Sequence, residues 1–370
     1  MTAQKWFFDL MKAAGITPNG LEIFDPQILN PSFYSRVRRD GTLGLGESYM
    51  DNWWTCARPD EFIRRLLEKK VQERAGVSLP MILGVLKARF LNLQSVKRAF
   101  QVGERHYDLG NDLFQAMLGP SMSYSCGYWP NAQSLDEAQY AKFDLICRKL
   151  GLEAGMRVAD IGCGWGSFAK YAAQAYDVSV VGITISREQA DYSRKLCQGL
   201  DVKIKVQDYR EFYEPVDRIV SVGMMEHVGA KNYRDYMRVA GKSLKPDGLF
   251  LLHTIGIQSS GLNTDPWTAK YIFPNGEMPS LHQISRSMEG LFVLEDLHNF
   301  GTDYDRTLMA WLENFTAAWP NLSDRYGEHF FRMWSYYLLM FAGVFRARHL
   351  QLWQMVLSPG GVRGGYKSIR

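Results

Sequence analysis

The stretch Val158-Ala-Asp-Ile-Gly-Cys-Gly-Trp-Gly-Ser-Phe168 joins an apolar segment and an acidic residue to three closely spaced glycines. Its apolar start predicts a buried strand, and the residues after the glycines predict a helix. Gly162, Gly164 and Gly166 allow the backbone to turn sharply and approach a ligand closely, while the helix N-terminus offers free N–H groups. The spacing is not the GxGxxG of dinucleotide folds, and the Lys-Ser/Thr of a phosphate loop is missing. The stretch therefore predicts a ligand-binding turn, with a merely tight turn as the alternative.

Strand and helix patterns alternate around this turn and predict an α/β fold. Such alternation is typical of a doubly wound, mostly parallel, Rossmann-like sheet that binds ligands at the carboxyl ends of its strands. Lys245-Pro-Asp-Gly248 predicts a turn before the last strand. Residues 256–300 are rich in Gly, Pro and aromatic residues and predict a lid insertion, and residues 330–356 predict an aromatic helix or helix pair. The expected strands are 156–160, 178–184, 202–206, 217–223 and 248–254.

The N-terminal part has a different pattern and predicts a smaller α+β domain over residues 1–92. A linker is expected at residues 93–103, followed by the larger domain at residues 104–370. Within the smaller domain, Leu21 to Phe24 predicts a short strand and Gly41 to Gly46 a turn-rich loop. Pro59 is expected to open a helix, and a further helix is expected at about 80–93. One face of the first helix is apolar and includes Trp6, Phe7, Leu10, Met11 and Ala14.

The composition is that of a folded protein, with 46% hydrophobic and 22% charged residues among 370. The net charge of +4 favours an anionic surface as partner but is too small to indicate nucleic acid. Five widely spaced cysteines without a CxxC pair indicate a reducing compartment and no zinc site. The N-terminus has no apolar run typical of a signal peptide, and Leu338 to Phe345 is too short to span a bilayer. We therefore expect a cytoplasmic protein whose membrane contact is peripheral.

The D-x-G-x-G-x-G order of the glycine stretch resembles the cofactor loop of S-adenosylmethionine-dependent methyltransferases. The resemblance implies that S-adenosyl-L-methionine binds beside Gly162, Gly164 and Trp165. Asp160 is expected to end the first strand and to orient this loop. A class I methyltransferase fold is thus the expected form of the α/β domain.

The ends of the second and third strands offer further candidates for cofactor binding. Many methyltransferases hold the ribose hydroxyls with an acidic residue after the second strand, but this chain has none there. Thr184 and Gln189 are the polar substitutes. After the third strand, Asp208 could accept a hydrogen bond from the adenine amino group, and Tyr209 could stack on the ring. Taken by itself, Asp208 also fits a turn residue.

Several motifs occur in an order that resembles the cyclopropane-fatty-acyl-phospholipid synthase family. The resemblance runs nearly end to end, and the N-terminal Gly44-Leu-Gly-Glu-Ser-Tyr-Met-Asp51, followed by Trp53 and Trp54, resembles the small domain of the bacterial phospholipid-acting members. The other motifs are Glu104-Arg-His-Tyr-Asp-Leu-Gly-Asn-Asp112, Met122-Ser-Tyr-Ser-Cys126, Met225-Glu-His-Val-Gly229, Leu252-His-Thr-Ile-Gly256 and Asp303-Tyr-Asp-Arg-Thr307.

This resemblance implies methyl transfer from S-adenosylmethionine to the cis double bond of a phospholipid acyl chain. The carbocation that results would lose a proton so that a cyclopropane ring closes. The resemblance further implies that a bound bicarbonate is the base, held by Cys126, Glu226, His253, the backbone at Ile255, and Tyr304. A bicarbonate that donates its O–H to Glu226 would be more basic toward the substrate, and its other oxygens could accept hydrogen bonds. Tyr107, Tyr124 and Ser125 match family positions that close over the cofactor.

Each candidate catalytic residue also has a purely structural interpretation. Cys126 fits a small buried hydrophobic residue, and His253 fits a hydrogen-bonded core histidine. Glu226 and His227 could cap a helix, and His227 fits a structural role better than His253 does. Tyr304 could be one of the many packing tyrosines. Their joint occurrence with the glycine loop favours the catalytic interpretation.

The resemblance also implies a homodimer in which the small domain positions lipid at the inner face of the cytoplasmic membrane. The apolar face of the first helix is one candidate for membrane contact. Basic side chains are the other candidate, although a merely solvated charged face is the alternative. These basic residues are Arg36, Arg38, Arg39, Lys87 and Arg89.

Three other functions remain open at this stage. A relative of the same chemistry could add a methyl or methylene branch to the olefin instead of closing a ring. An amine N-methyltransferase would not need the N-terminal domain, so residues 1–92 count against it. A lipid-binding protein with a vestigial cofactor fold would not need the intact set of Asp160, Gly162, Gly164, Glu226 and His253.

Overall fold

The computed structural model of the protein describes residues 1–71, 110–260 and 265–370. These residues divide into two compact units. The first comprises residues 1–71, 265–275 and 304–350, and the second comprises residues 110–260, 276–303 and 351–370. Two segments of the range predicted as the larger domain thus pack with the N-terminal segment. The expected linker at 93–103 and the expected helix at 80–93 lie outside the described residues.

The described helices and strands are numbered here in chain order. The N-terminal elements are α1 (Ala3–Lys12), β1 (Gln27–Ile28), α2 (Ser32–Asp40), α3 (Thr42–Met50), β2 (Trp54–Thr55) and α4 (Pro59–Glu68). Next come α5 (Asn111–Leu118), α6 (Leu135–Lys149), β3 (Arg157–Ile161), α7 (Ser167–Tyr176), β4 (Ser179–Thr184), α8 (Arg187–Leu196), β5 (Val202–Val206), β6 (Val216–Val222), α9 (Met225–Val228) and α10 (Tyr233–Ser243). The last are β7 (Leu244–Ile257), α11 (Pro266–Tyr271), α12 (Leu281–Met288), β8 (Val293–Asn299), α13 (Asp303–Arg346) and β9 (Leu350–Ser358).

The first unit is mainly helical and contains the short antiparallel pair β1 and β2. Its N-terminal helix behaves as the apolar spacing predicts, because Phe7, Met11 and Ala14 are buried. The ring of Phe7 packs edge-on against Phe33 with 5.0 Å between centroids. Pro59 is the first residue of α4, as expected for a residue that lacks a backbone N–H.

Two local predictions for the first unit are wrong. Leu21 to Phe24 forms turns instead of a strand, because the Asp25 carboxylate accepts backbone N–H groups that a strand would need. The stretch Gly41 to Gly46 is not a loop, since α3 begins at Thr42. Its glycines serve close packing: a Cβ atom on Gly46 would lie 2.4 Å from the ring of Trp267.

The proposed membrane-contact residues of the N-terminal part have other partners in the structure. On the apolar face of α1, Phe7, Met11 and Ala14 are buried whereas Trp6 and Leu10 are partly exposed, and its membrane contact stays a prediction. Arg36 pairs with Glu47 at 2.7 Å and also with Asp51. Arg39 pairs with its neighbour Asp40, and Arg38 donates a hydrogen bond to the carbonyl of Met1. Lys87 and Arg89 lie outside the described residues.

Helix α13 is interrupted rather than continuous. Gly327 has φ 72° and ψ 164°, which breaks the helical hydrogen bonding at that point, and Pro320 lies about two turns earlier. Among the residues that the structure describes, no helix has the length and apolar character that a membrane span requires.

The second unit contains a seven-stranded sheet in the order β5-β4-β3-β6-β7-β9-β8. The five strands from β5 to β7 run parallel, and β8 is antiparallel to β9. This arrangement confirms the predicted doubly wound, mostly parallel sheet. The order reverses at β3, so the carboxyl ends of β3, β4 and β6 meet where such folds bind ligands.

Both faces of the sheet are covered by helices, which explains its nearly continuous apolar strands. On one face, Val158 and Leu251 pack with α6 and α7. On the other, the adjacent residues Ala159 and Leu252 pack with α10 and α12. Successive side chains point to opposite faces of a strand, so a single strand supplies both cores.

Three regions of the second half differ from the sequence predictions. Residues 245–248 lie within β7 as a bulge, because Val216 pairs with Leu244 whereas Arg218 already pairs with Leu249. The range 256–300, predicted as a loop, contains α11, α12 and β8. The tail predicted as helical ends in strand β9, which is buried along its whole length. A short, mostly apolar run does not distinguish a buried strand from a buried helix.

Candidate active site

The glycine turn between β3 and α7 has the backbone conformation that its sequence predicts. Gly162, Gly164 and Gly166 have φ values of 87°, 53° and 84°. A Cβ atom on Gly166 would lie 2.9 Å from the Cβ atom of Ser193, so that position is closed by packing. At Gly164, no heavy atom of the described structure would lie within 4 Å of an added Cβ atom. The turn therefore leaves open space at its centre.

Asp160 lies one residue before the end of β3, not at its last residue as predicted. Its side chain is buried, and its Oδ2 atom has no hydrogen-bond partner among the described residues. Burial raises the pKa of this carboxyl above its usual range, although the nearby charge of Lys142 acts in the opposite direction. A buried acceptor without a partner is rare in folded proteins and fits a donor on a bound ligand.

Lys142 is a buried cation that the sequence analysis missed. Its Nζ atom donates hydrogen bonds to the hydroxyls of Ser123 and Ser125 at 2.6 and 2.7 Å, and to Gln139 Oε1 at 2.6 Å. Burial lowers the pKa of Lys142, while the charge of Asp160 opposes this shift. The lysine thus ties the segment that includes Ser125 to helix α6. Its helical spacing from buried residues on α6 was the signal that could have revealed it.

The predicted cofactor residues Tyr124 and Trp165 contact the same aromatic side chain. Phe114 of α5 lies 5.4 Å from the Tyr124 ring and 4.9 Å from the Trp165 ring, centroid to centroid. The indole N–H of Trp165 donates to Asn111 Oδ1 at 3.1 Å. The structure therefore brings the glycine turn and the Tyr124 segment together. Tyr107 lies outside the described residues, so its role stays a prediction.

Thr184 and Gln189, predicted as substitutes for the ribose-binding acid, are hydrogen-bonded to each other. The Thr184 hydroxyl donates to Gln189 Oε1 at 3.0 Å at the carboxyl end of β4. Ser186 caps α8 by accepting the backbone N–H of Gln189. Both predicted residues are buried, and their position beside the glycine turn agrees with the expected cofactor edge of the sheet.

Asp208 and Tyr209 follow β5 and have local partners. One carboxylate oxygen of Asp208 accepts the backbone N–H of Arg210 at 2.9 Å, and the other pairs with the Arg210 guanidinium at 2.9 Å. These contacts are those of a turn residue. The Tyr209 ring packs edge-on against Tyr236 at 5.0 Å, and its hydroxyl has no partner in the described structure. The proposed adenine contacts of both residues stay predictions.

Glu226 lies on α9, directly after β6, and reaches the neighbouring strand. Its Oε1 atom accepts the backbone N–H of Ile255 at 2.6 Å, whereas its Oε2 atom has no hydrogen-bond partner among the described residues. Burial raises the pKa of Glu226 to about 7. The carboxyl is therefore poised between its two protonation states near neutral pH.

His253 and Ile255 are two residues apart on β7 and so share one face of the sheet. The Nδ1 atom of His253 lies 3.2 Å from the Gln354 side-chain nitrogen, so Nδ1 accepts and Nε2 carries the proton. This Nε2 atom is buried without a partner in the described structure. Burial, reinforced by the charges of Lys142 and Lys149, holds the pKa of His253 well below its usual value. The ring is therefore neutral and offers one N–H donor.

Gln354 is a second residue that the sequence analysis missed, because β9 was predicted to be helical. No local signal distinguishes this glutamine. The histidine next to Glu226, His227, is partly buried, and desolvation lowers its pKa to about 4. The structural role expected for His227 stays a prediction.

The remaining predicted ligands of the anion have different surroundings. Cys126 is fully buried, and its Sγ atom lies 3.2 Å from the carbonyl of Gly127. Tyr304 belongs to the first unit, where its ring packs 4.4 Å from that of Phe345. The structure thus places Glu226 against Ile255 and puts His253 on the same strand face. The contacts expected for Cys126 and Tyr304 stay predictions.

Known proteins share both the sequence and the fold of this chain. The family described as mycolic acid cyclopropane synthetase matches residues 94–355. Cyclopropane-fatty-acyl-phospholipid synthase of Escherichia coli strain K12 is 55% identical over 362 residues, which cover 98% of this chain and 94% of that protein. The cyclopropane synthase MmaA2 from Mycobacterium tuberculosis superimposes with a TM-score of 0.66 at 34% identity, covering 70% of this chain and 98% of that one. The mycolic acid cyclopropane synthase CmaA1, solved with SAH and CTAB, gives the same TM-score and coverage at 32% identity. The chain therefore belongs to the cyclopropane synthase family of S-adenosylmethionine-dependent methyltransferases.

Proposed function

We propose that this protein transfers the methyl carbon of S-adenosylmethionine to the cis double bond of unsaturated phospholipid acyl chains and closes a cyclopropane ring. The observation that carries this proposal is the 55% identity to the Escherichia coli phospholipid enzyme across 98% of the chain. The N-terminal segment, which the family match at residues 94–355 does not include, falls within that alignment. This extent favours a phospholipid substrate over the mycolic acids named for MmaA2.

The described residues fit S-adenosylmethionine, which supplies an electrophilic methyl group when bound. Gly164 has no side chain and leaves open space at the centre of the turn. Asp160 Oδ2 is a buried acceptor without a partner in the described structure. Thr184 and Gln189 offer further polar groups beside this turn. We assign the glycine turn and Asp160 to holding the donor, with Tyr124, Trp165 and Ser125 closing over it.

We further propose that a bound bicarbonate removes the surplus proton. Glu226 Oε2 would accept the O–H of the anion, and His253 Nε2–H would donate to one of its other oxygens. Both atoms are buried without a partner in the described structure, which supports a small polar ligand at this place. The Ile255 N–H is already bonded to Glu226, so its predicted contribution becomes that of anchoring the carboxylate. Cys126 and Tyr304 complete the proposed set by family resemblance.

The protein must reach a chain that lies inside a bilayer. We propose peripheral contact with the inner face of the cytoplasmic membrane and a homodimer in which the N-terminal part positions the lipid. An alkene is a poor nucleophile, so the reaction needs a dry site in which the double bond is aligned with the donor.

The test is incubation of the protein with S-adenosylmethionine and vesicles of unsaturated phosphatidylglycerol, a lipid without an amine. Mass spectrometry should show a gain of one methylene per modified chain, and proton NMR should show cyclopropyl signals replacing olefinic ones. Vesicles of saturated phosphatidylglycerol are the control and should stay unmodified. Branched products would replace the proposal with the branching methyltransferase, and donor binding without any product would favour a lipid-binding protein.

A further inference from the structure

The loop Thr17–Ile28 in the first unit is closed by a buried aspartate. One carboxylate oxygen of Asp25 accepts the backbone N–H of Thr17 at 2.8 Å, and the other accepts that of Glu22 at 3.1 Å. Asp25 is only 4% exposed. A Cβ atom on Gly20 would lie 2.2 Å from Asp25 Oδ2, so the loop needs glycine there. The loop is thus a built structure and not a slack connection.

Further contacts satisfy the backbone of this loop and attach it to the unit. Asn19 Oδ1 accepts the backbone N–H of Ile28 at 2.7 Å, and the Gln27 side chain donates back to a loop carbonyl at 2.8 Å. Phe24 points inward, where the Arg65 guanidinium lies 3.6 Å from its ring centroid. Several backbone polar groups of the loop are therefore paired within the first unit, which lowers the cost of moving the loop from bulk water into the interfacial zone of a membrane.

The tip of the loop displays aliphatic side chains to solvent. Leu21 is 103% exposed and Ile23 is 57% exposed, and Leu29, just after the loop, is 58% exposed. A strand through Leu21 and Ile23 would have placed both on one face against a neighbour, but the turns project them outward. Exposed apolar side chains are unfavourable in water, so covering those of this loop with a partner or a membrane would stabilise the protein.

The exposed area decides between a membrane and a second copy of the chain. An aliphatic side chain offers on the order of 100 Å², so these three offer about 300 Å². A stable protein interface buries about 800 Å² on each partner. A lipid surface needs only apolar side chains of sufficient depth and no matching shape. The small exposed apolar area fits a bilayer better than a protein partner.

We propose that the loop Thr17–Ile28 inserts into the interfacial zone of a phospholipid bilayer and buries Leu21 and Ile23 among the upper acyl chains. The inference rests on the proposed function, because the acyl substrate lies in the membrane. It places a membrane contact at this loop, apart from the apolar face of α1. Glu22 lies exposed between the two aliphatic residues and brings a negative charge, so anionic lipid should not strengthen the contact.

The first test compares vesicle binding of the full chain with that of the double variant Leu21→Asn/Ile23→Asn. Phosphatidylcholine vesicles are sedimented with protein at about 0.1 M and about 0.5 M salt, conditions that differ in Debye screening. The double variant should bind at least about tenfold more weakly at both salt concentrations. Tyr213→Asn in the second unit, where Tyr213 is 61% exposed, is the matched control and should bind like the parent. Equal binding by the double variant overturns the proposal.

The second test reports the surroundings of the tip directly. Leu21→Cys is labelled with an environment-sensitive fluorophore in a Cys56→Ser background, since the other four native cysteines are buried. The emission should shift to the blue when vesicles are added. A blue shift that grows with protein concentration in the absence of vesicles would mean that a second copy covers the tip, and this result would overturn the proposal.

Failure of this proposal is distinguishable from failure of the proposed function. S-adenosylhomocysteine binding by the double variant, measured by calorimetry, should equal that of the parent, which shows that the second unit is intact. Loss of vesicle binding with unchanged calorimetry supports the loop. A parent protein that binds vesicles through the loop but forms no cyclopropane would contradict only the proposed reaction.

Discussion

The Glu226 carboxylate accepts the backbone N–H of Ile255 at 2.6 Å, which fixes one of its oxygens against strand β7 and leaves the other without a partner in the described structure. The bond joins the end of β6 to the strand that carries His253. A carboxyl held in this way has a defined direction before any ligand arrives, and preorganisation of this kind lowers the cost of binding a small anion.

Glu226→Gln should keep the hydrogen bond from the Ile255 N–H and lose the contact to the bound anion. The amide oxygen can still accept the Ile255 N–H, but the NH2 group in place of Oε2 can no longer accept the O–H of the bound anion. We expect turnover to fall by about 100-fold or more, the range seen for lost acid–base groups, while S-adenosylhomocysteine affinity stays unchanged. Product formation is followed by lipid mass spectrometry and affinity by calorimetry. Turnover equal to that of the parent would remove the proposed role of Glu226.

The matched control for this variant is Glu214→Gln. Glu214 is a carboxylate of the same unit that pairs with Arg157, the first residue of β3, and with Lys205 of β5. Its neutralisation should leave turnover within about twofold of the parent, because surface ion pairs contribute little. A comparable loss in both variants would mean that neutralising any carboxylate harms the protein.

The stability of the Glu226→Gln variant relative to the parent should increase as the pH rises. Burial raises the pKa of Glu226 from 4.5 to about 7. Between these values the unfolded chain ionises while the folded carboxyl stays protonated, so this group makes the parent less stable as the pH rises through that window. The amide does not titrate, and its advantage should grow by up to about 3 kcal/mol between about pH 4 and about pH 8. Thermal unfolding at both pH values measures it, and a constant difference would contradict the raised pKa.

A comparison of Gly164→Ala with Gly151→Ala separates the loss of space for the cofactor from the cost of backbone strain. Gly164 has φ 53° and Gly151 has φ 55°, and neither would bring an added Cβ atom within 4 Å of a described heavy atom. Both alanine variants should lose about 1 kcal/mol of stability from the left-handed conformation. Only Gly164→Ala should also weaken S-adenosylhomocysteine binding, by about tenfold or more, because its methyl group enters the ligand space. Equal affinities in calorimetry would place the ligand elsewhere.

Lys142→Met should alter both the stability and the pH dependence of ligand binding. Three buried acceptors lose their donor, at a cost of about 3 kcal/mol or more. The charge that opposes the raised pKa of Asp160 also disappears, so Asp160 should protonate at higher pH than in the parent. If ionised Asp160 holds the donor, the affinity for S-adenosylhomocysteine declines as the pH falls and Asp160 becomes protonated. In Lys142→Met this decline should begin at a higher pH than in the parent. A calorimetric pH profile that superimposes on the parent profile would contradict this coupling.

The exposed lysine Lys203 provides the control for this prediction. Its side chain lies on β5 and faces solvent. Lys203→Met should change neither the melting temperature nor the pH profile, because the removed charge is screened by water. A purely structural role of Lys142 would lower the melting temperature and leave the profile in place.

Local patterns revealed the parts of the site that lie on consecutive residues. The glycine turn and the strand before it have a short-range signature, whereas the Glu226 segment after β6 was singled out by its resemblance to a family motif. Gln354 has no local signature, and Lys142 has only its helical spacing from buried residues of α6, because the importance of both arises from partners that are distant in sequence. Lys142 meets Ser123, 19 residues earlier, and Gln354 meets His253, 101 residues earlier.

By itself, the sequence determined the α/β class, the parallel core strands and the glycine turn, because periodicity and glycine conformation act over a few residues. Only the tertiary structure decided that β9 is a strand and that Phe7 is buried while Leu21 is exposed. Burial depends on which distant segments pack against a residue, and an apolar side chain has the same local pattern whether it lies in a core or in water.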